Sequence, residues 1–359
     1  MRSPIVLTVL LGLTGAAPAL AEGPKIALVA PQSGPYAILG GQMRDGATLA
    51  ADKLGLELAL VDESCQPGSG PEIARQIRDS GAKAAIGFLC SESLDGALAP
   101  LKDAAIPAIT LSVRWKGVME DALKNGWPLF RMAPSTDDEA KRLSDVILRE
   151  WSDAALALVE DGTIHGRELA ETIRNTLEEK GLKPVFTDTF RPGQEQQLAL
   201  VRRLKKAGAT HVFIGGDRND VAIIARDALA ENAALTLIGG EAMDAADQPV
   251  KLADGVYAVA LPDYAQRTDA AAVVEQLKSR GVTAEGYVLP AHAAVNAIAE
   301  AAGAASALSL PLAQALGEAH FGTVIGPIAF DPQQELTDNP YRLLKWQNGA
   351  FVEVEPVGE

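Results

Sequence analysis

Short apolar runs, each closed off by turn residues, alternate with stretches of helical spacing along most of the chain. The runs are KIALVA (25–30), LELALVD (56–62), AAIGFL (84–89), PAITLS (107–112), AALALVED (154–161), HVFIGGD (211–217) and LTLIGGE (235–241). Between them, helical spacing covers 40–53, 71–80, 136–150, 166–180, 194–206 and 220–231. Gly181 and Gly208, just past two of these stretches, read as helix stops. Near-continuous apolar strands are buried on both faces, and strands joined by helices pair in parallel through right-handed crossovers. The expected class is therefore α/β, with parallel-rich sheets flanked by helices.

The rhythm then restarts. Residues 25–112 form one βα series and 154–260 a second, separated by Arg131-Met132-Ala133-Pro134-Ser135, a Pro-bearing connector ahead of a new helix. A third section, about 265–320, is Ala-rich and helical. The tail returns to strand character in GPIAFD and RLLKWQNGAFVEV, where Asn348-Gly349 reads as a hairpin turn. A single sheet would need too many strands to stay compact at this length. Two sheets joined by several crossings are expected instead.

The first 21 residues read as a targeting segment. Arg2 supplies a positive start, Ile5 to Leu13 an uncharged apolar run, and Ala19-Leu20-Ala21 the small-x-small pattern of a cleavage site. The run is shorter than the about 20 residues that a membrane-spanning helix needs. Cleavage near Ala21 would release a mature chain starting near Glu22 into an exported compartment, the periplasm in a two-membrane cell. It would leave about 338 residues, above the size at which one core usually keeps growing.

With 48% hydrophobic and 22% charged residues the composition is that of a globular chain and excludes a disordered one. The net charge of −15 argues against nucleic acid and anionic membrane surfaces as partners. Cys65 and Cys90 are the only cysteines. In an oxidising compartment the pair reads first as a bridge. Two free thiols are the alternative, and a metal site is disfavoured because no His lies near either one.

Catalytic signatures are missing. There is no H-E-x-x-H, G-x-S-x-G, P-loop or G-x-G-x-x-G, and His165, His211, His292 and His320 are scattered. The chain is read as a binding protein rather than an enzyme, with no cofactor and no metal. In open α/β sheets ligands lie beyond the carboxyl ends of the strands, and three such ends are unusual here. Strand 84–89 runs through Cys90 into Ser91 and a helix, whose free N–H groups and hydroxyl suit a carboxylate or phosphate. The alternative is that Ser91 or Ser93 simply caps that helix. The other two ends repeat each other, Gly215-Gly216-Asp217 and Gly239-Gly240-Glu241. Either acid could accept from an ammonium group, or cap a helix, or lie in a solvated loop.

Taken together, KIALVAPQSGPYAILGGQMRDGATLA, DESCQPGSG, IGFLCSES, the two Gly-Gly-acid turns and GPIAFD resemble the branched-chain amino-acid-binding family of periplasmic proteins. The resemblance implies a type I periplasmic binding fold, in which two α/β lobes close on a ligand in the cleft between them. The lobes would be 22–134 with 263–327, and 135–262 with 328–359. It implies an ABC importer's substrate-binding protein that captures an amino acid or related small solute, partners permease subunits in the inner membrane, and is a monomer. A ligand sensor that docks on a receptor or regulates an enzyme is the alternative use of the same fold.

Position by position, Ser91 matches the family's carboxylate-binding serine, and Ser112 a residue whose carbonyl accepts from the ligand ammonium. Glu241 matches the acid that pairs with that ammonium, and Tyr287 an aromatic pocket wall. Cys65 and Cys90 match the family's disulfide. Arg114 stands where the family usually has a threonine, His165 and Asp217 where it has tyrosines, and Leu39 at a wall position of the first loop. These departures imply a ligand more polar than leucine, or an Arg114–Asp217 latch across the cleft.

Overall fold

The computed structural model describes residues 23–246 and 249–354, so the predicted targeting segment lies outside the described residues. The first sheet is built from β1 (Ile26–Ala30), β2 (Leu58–Asp62), β3 (Ala84–Gly87), β4 (Ala108–Thr110) and β5 (Leu129–Arg131). Their order is β2-β1-β3-β4-β5, parallel throughout. The connections are α1 (Ala37–Leu54), α2 (Gly70–Asp79), α3 (Ser91–Asp103) and α4 (Lys116–Asn125).

The second sheet follows α5 (Asp138–Glu150) and alternates β6 (Leu156–Glu160), α6 (Ile164–Glu179), β7 (Phe186–Thr189), α7 (Leu198–Lys206), β8 (His211–Gly215), α8 (Arg218–Ala230), β9 (Thr236–Gly239) and β10 (Tyr257–Ala260). The chain then returns to the first sheet with α9 (Ala271–Ser279), α10 (Val288–Leu308) and α11 (Leu312–Glu318). Next comes a small antiparallel pair, β11 (His320–Thr323) and β12 (Gly326–Ala329). It ends on the second sheet with β13 (Arg342–Gln347) and β14 (Ala350–Glu353), giving the order β14-β13-β10-β9-β8-β6-β7. β13 and β14 are joined by the expected Asn348-Gly349 turn, with positive φ at both residues.

Both faces of each sheet are covered, as the apolar runs require. On one face of the first sheet Ile26, Leu28 and Ile86 pack against Met43 and Ala47 of α1 and Ala294 and Ile298 of α10. Val29 and Ala85 on the other face meet Ile73, Leu94, Leu98 and Val118. The second sheet repeats the plan, with Val159 and Ile214 against α7 and α8, and Leu158 and Phe213 against α5 and α6. α1 and α10 touch backbone to backbone at Gly46, where an added Cβ would lie 1.8 Å from the Val288 carbonyl oxygen.

α4, β5 and β7 carry little sequence signal. β5 has three residues, and β7 (FTDT), at the sheet edge, alternates half-buried with exposed positions. A strand closed in by Pro128 and Arg131, or that polar on one face, leaves no apolar run to read.

The chain passes between the sheets three times, after β5, after β10 and after β12. The first and third crossings are bound together. Arg131, with a side chain 1% exposed, donates from Nε to Glu335 Oε2 at 2.7 Å and makes a second short contact from Nη2 to Oε1. Its Nη1 reaches the Trp115 carbonyl at 3.2 Å, and its backbone N–H donates to the Gln334 carbonyl at 3.0 Å.

Candidate functional site

The segments that follow the carboxyl ends of β1, β3 and β4 in the first lobe hold Leu39 and Ser91, in the first turns of α1 and α3, and the loop residues Ser112 and Arg114. Those after β6, β8 and β9 in the second hold His165, in the first turn of α6, with Asp217 and Glu241. Parallel strands put all of these loops on one end of each sheet.

The β3 loop is tightly braced. Phe88 is buried with φ 57°, a left-handed conformation unusual for a bulky side chain. The chain then enters α3 at Cys90, whose sulfur is bonded to Cys65 and cannot cap the helix. Beneath it lies Glu63, 2% exposed, accepting from the N–H of Leu89 at 2.7 Å and of Cys90 at 3.0 Å. Burial pushes the Glu63 carboxyl up to about 7, against those backbone donors. Ser93 is buried and bonded to Ser69 at 3.1 Å. Neither serine caps α3, whose N-cap makes no side-chain hydrogen bond; its first turn is left with N–H donors for an acceptor from outside. Glu63, Cys65 and Cys90 place one ligand atom each within 4.8 Å of one another, but both sulfurs are spent in the disulfide.

Ser112, after β4, accepts from the Tyr287 hydroxyl at 2.8 Å, so two of the expected residues meet within the first lobe. The Tyr287 backbone N–H donates in turn to Gln42 of α1 at 3.3 Å. Two residues on, Arg114 reaches out of the first lobe into the second. Its Nη2 donates to Glu241 Oε1 at 2.7 Å, its Nη1 makes a short contact with Glu241 Oε2, and the same Nη1 lies 3.0 Å from the Tyr341 hydroxyl. Tyr341, 1% exposed at the end of the third crossing, donates to Glu241 Oε2 at 2.7 Å.

Glu139, in the first turn of α5, supports this arrangement from below. It is 5% exposed and accepts from the Glu241 backbone N–H at 2.6 Å. Gly240 makes that approach possible, because a Cβ there would lie 2.0 Å from Glu139 Oε1. His165 Nε2 stands 3.7 Å from the other Glu139 oxygen while its ring stays largely exposed. Burial raises the Glu139 carboxyl above its ordinary value. Burial also opposes ionisation of Glu241, but the hydrogen bonds and charge of Arg114 outweigh it and hold that carboxyl below its ordinary value. Adjacent acids are thus pushed in opposite directions.

Asp217 is not part of this cluster. It is exposed and caps α8, its Oδ1 accepting from the Asp220 N–H at 3.1 Å. The partner of Arg114 is Glu241 rather than Asp217, because the loop after β9 meets the β4 loop while the Asp217 side chain folds back onto its own helix. Leu39 is half-buried in the first turn of α1. Sequence reasoning missed Glu139, Tyr341 and Glu63. Their only local signals were an acid at a helix start, a tyrosine before a strand, and an acid two residues from a cysteine.

The sequence model of the periplasmic binding protein family matches residues 23–350. The chain is 27% identical over 350 residues to the Leu/Ile/Val-binding protein BraC3 of Rhizobium johnstonii, covering 92% of this chain and 93% of that protein. Among solved structures it is similar to an ABC transporter substrate-binding protein from Desulfitobacterium hafniense in complex with Leu, with TM-score 0.67, 21% identity and coverage of 93% of this chain and 100% of that one. It is also similar to a solute-binding protein of an ABC transporter from Rhodopseudomonas palustris HaA2 in complex with p-hydroxybenzoic acid, with TM-score 0.64, 17% identity and coverage of 92% and 95%. Two sheets crossed three times, strand-end loops that meet between them, and a family match over nearly the whole described chain converge: the protein belongs to the periplasmic binding protein family.

Proposed function

We propose that this protein is the substrate-binding component of an ABC importer, capturing an amino acid or related small polar solute by lobe closure. The observation that carries the reading is the contact of Arg114 with Glu241, which joins strand-end loops of both lobes where the fold binds its ligands. The moving units are residues 22–134 with 263–327 and 135–262 with 328–359, a division supported by the three crossings. Ser91, Ser112, Arg114 and Tyr287, with Leu39 beside them, form the first jaw; Glu241, His165 and Asp217 form the second. Related folds hold leucine in one case and p-hydroxybenzoic acid in another, so the fold alone does not choose the ligand head group.

Export through the 1–21 segment places the protein in the periplasm, where it hands its ligand to permease subunits. The protein acts as a monomer and catalyses nothing, in keeping with the lack of any nucleophile–base pair in the sequence. A ligand drives closure only through its greater affinity for the closed form. The test is a thermal-shift and calorimetric screen of mature protein against amino acids, amides and small carboxylates. A true ligand at 100 times its Kd adds about 2.7 kcal/mol of stability. A protein that no small solute stabilises would not be a solute-binding protein of this kind.

A further inference from the structure

We propose that the cleft selects a small carboxylate that carries no ammonium group, so that an amino acid's des-amino counterpart is the preferred ligand. This rests on the reading of the protein as a solute-binding component and specifies what that same site takes.

Donors and acceptors in the cleft are unequally spent. Glu241, the acid in position to receive an ammonium, is already occupied. One carboxylate oxygen accepts from Arg114 Nη2, and the other from Arg114 Nη1 and from the Tyr341 hydroxyl. Its charge is balanced by a guanidinium that belongs to the protein. An incoming ammonium would meet Arg114 at the same place and gain no net attraction. Glu139, the second acid, is buried beneath the 240–241 loop and spends one oxygen on the Glu241 N–H, with His165 facing the other. Asp217 is exposed and turned onto α8, where a contact with an ammonium would be solvated and weak.

Donors, by contrast, remain. A guanidinium has five N–H groups in a fixed planar fork. Arg114 commits three, two to Glu241 and one to Tyr341. The two left over, Nε–H and the second Nη2–H, lie side by side along one edge of the plane, which is the geometry that grips a carboxylate with two parallel bonds. The Arg114 side chain keeps 37% of its surface exposed with the Glu241 pair formed. The first turn of α3 adds further N–H groups that no side chain caps. The cleft therefore offers two sets of donors to an anion, while both oxygens of Glu241, the acid placed to receive an ammonium, are already spent. The competing arrangement is a zwitterion inserted between Arg114 and Glu241. It would first have to break a two-point ion pair that Tyr341 also supports.

Calorimetry on the wild-type mature protein with matched pairs decides between them: 4-methylpentanoate and leucine, glutarate and glutamate, 3-phenylpropanoate and phenylalanine. We expect at least one carboxylate to bind 100-fold or more tightly than its amino acid. We also expect Arg114→Thr, which frees Glu241 for an ammonium, to cut that ratio at least tenfold. Tighter binding of the amino-acid members by wild type overturns the proposal, as does an unchanged ratio in Arg114→Thr. Those outcomes leave the solute-binding reading standing; no binding by any member of either series overturns the proposal as well, and the wider solute screen then decides the reading itself.

Discussion

Arg114 and Glu241 lie 127 residues apart in sequence and on opposite lobes, yet their side chains meet in a two-point ion pair closed by the hydroxyl of Tyr341. A guanidinium of one lobe thus satisfies a carboxylate of the other directly.

Breaking that pair should open the ligand-free protein. Arg114→Ala is expected to increase the radius of gyration measured by small-angle X-ray scattering. A double-mutant cycle with Glu241→Ala should yield a coupling of about 1–2 kcal/mol, the range for a half-exposed pair. Strict additivity of the two single changes would show that the pair does not hold the lobes.

The Arg131–Glu335 pair between the crossings behaves differently because Arg131 is buried. Arg131→Met leaves the Glu335 carboxylate without its partner and should cost about 3–5 kcal/mol in urea unfolding. Adding Glu335→Leu removes the stranded charge and should recover a large part of that loss. A double variant no more stable than the single one would show that packing around Arg131, rather than charge, dominates.

Stability should also depend on pH through Glu63. Its folded-state pKa stands at about 7, above the ordinary 4.5, because burial penalises the charged form. An acid shifted upward holds its proton more tightly in the native state. The resulting stabilisation is full below about pH 4.5 and is lost as pH rises toward 7. Glu63→Gln cannot ionise, so its stability relative to wild type should improve by about 3 kcal/mol between pH 4.5 and pH 8. A flat difference across that range would mean that Glu63 titrates like a surface carboxylate.

The Cys65–Cys90 bridge closes a loop of 25 residues beside the N-terminus of α3. In the chain-entropy account its removal by Cys65→Ala with Cys90→Ala costs roughly 3.5 kcal/mol. Because the bridge also fixes the approach to Ser91, ligand affinity should fall with it. Unfolding midpoints and calorimetric Kd values for the reduced-loop variant measure the two effects separately, and a variant as stable as wild type would contradict the first.

What the sequence determined by itself is local or repetitive. IALVA and AAIGFL are strands because every residue in them is apolar or glycine, and they became β1 and β3 in the interior of the first sheet. The restart of the βα rhythm announced the second sheet, and the strand-end loops marked the segments from which Arg114 and Glu241 meet. Such features are written in neighbouring residues, so periodicity recovers them. β5 and β7 escaped because strands so short or polar have no periodicity to recover.

Tertiary structure alone decided the pairings. The sequence offered Asp217 and Glu241 in the same Gly-Gly-acid setting, with no local pattern to tell them apart. The fold turned one into a helix cap and handed the other to Arg114. Glu335 found Arg131, 204 residues away, only because the first and third crossings run side by side. A charge's partner is set by which chain segments the folded core brings within about 3 Å, and no local pattern in the sequence carries that distance.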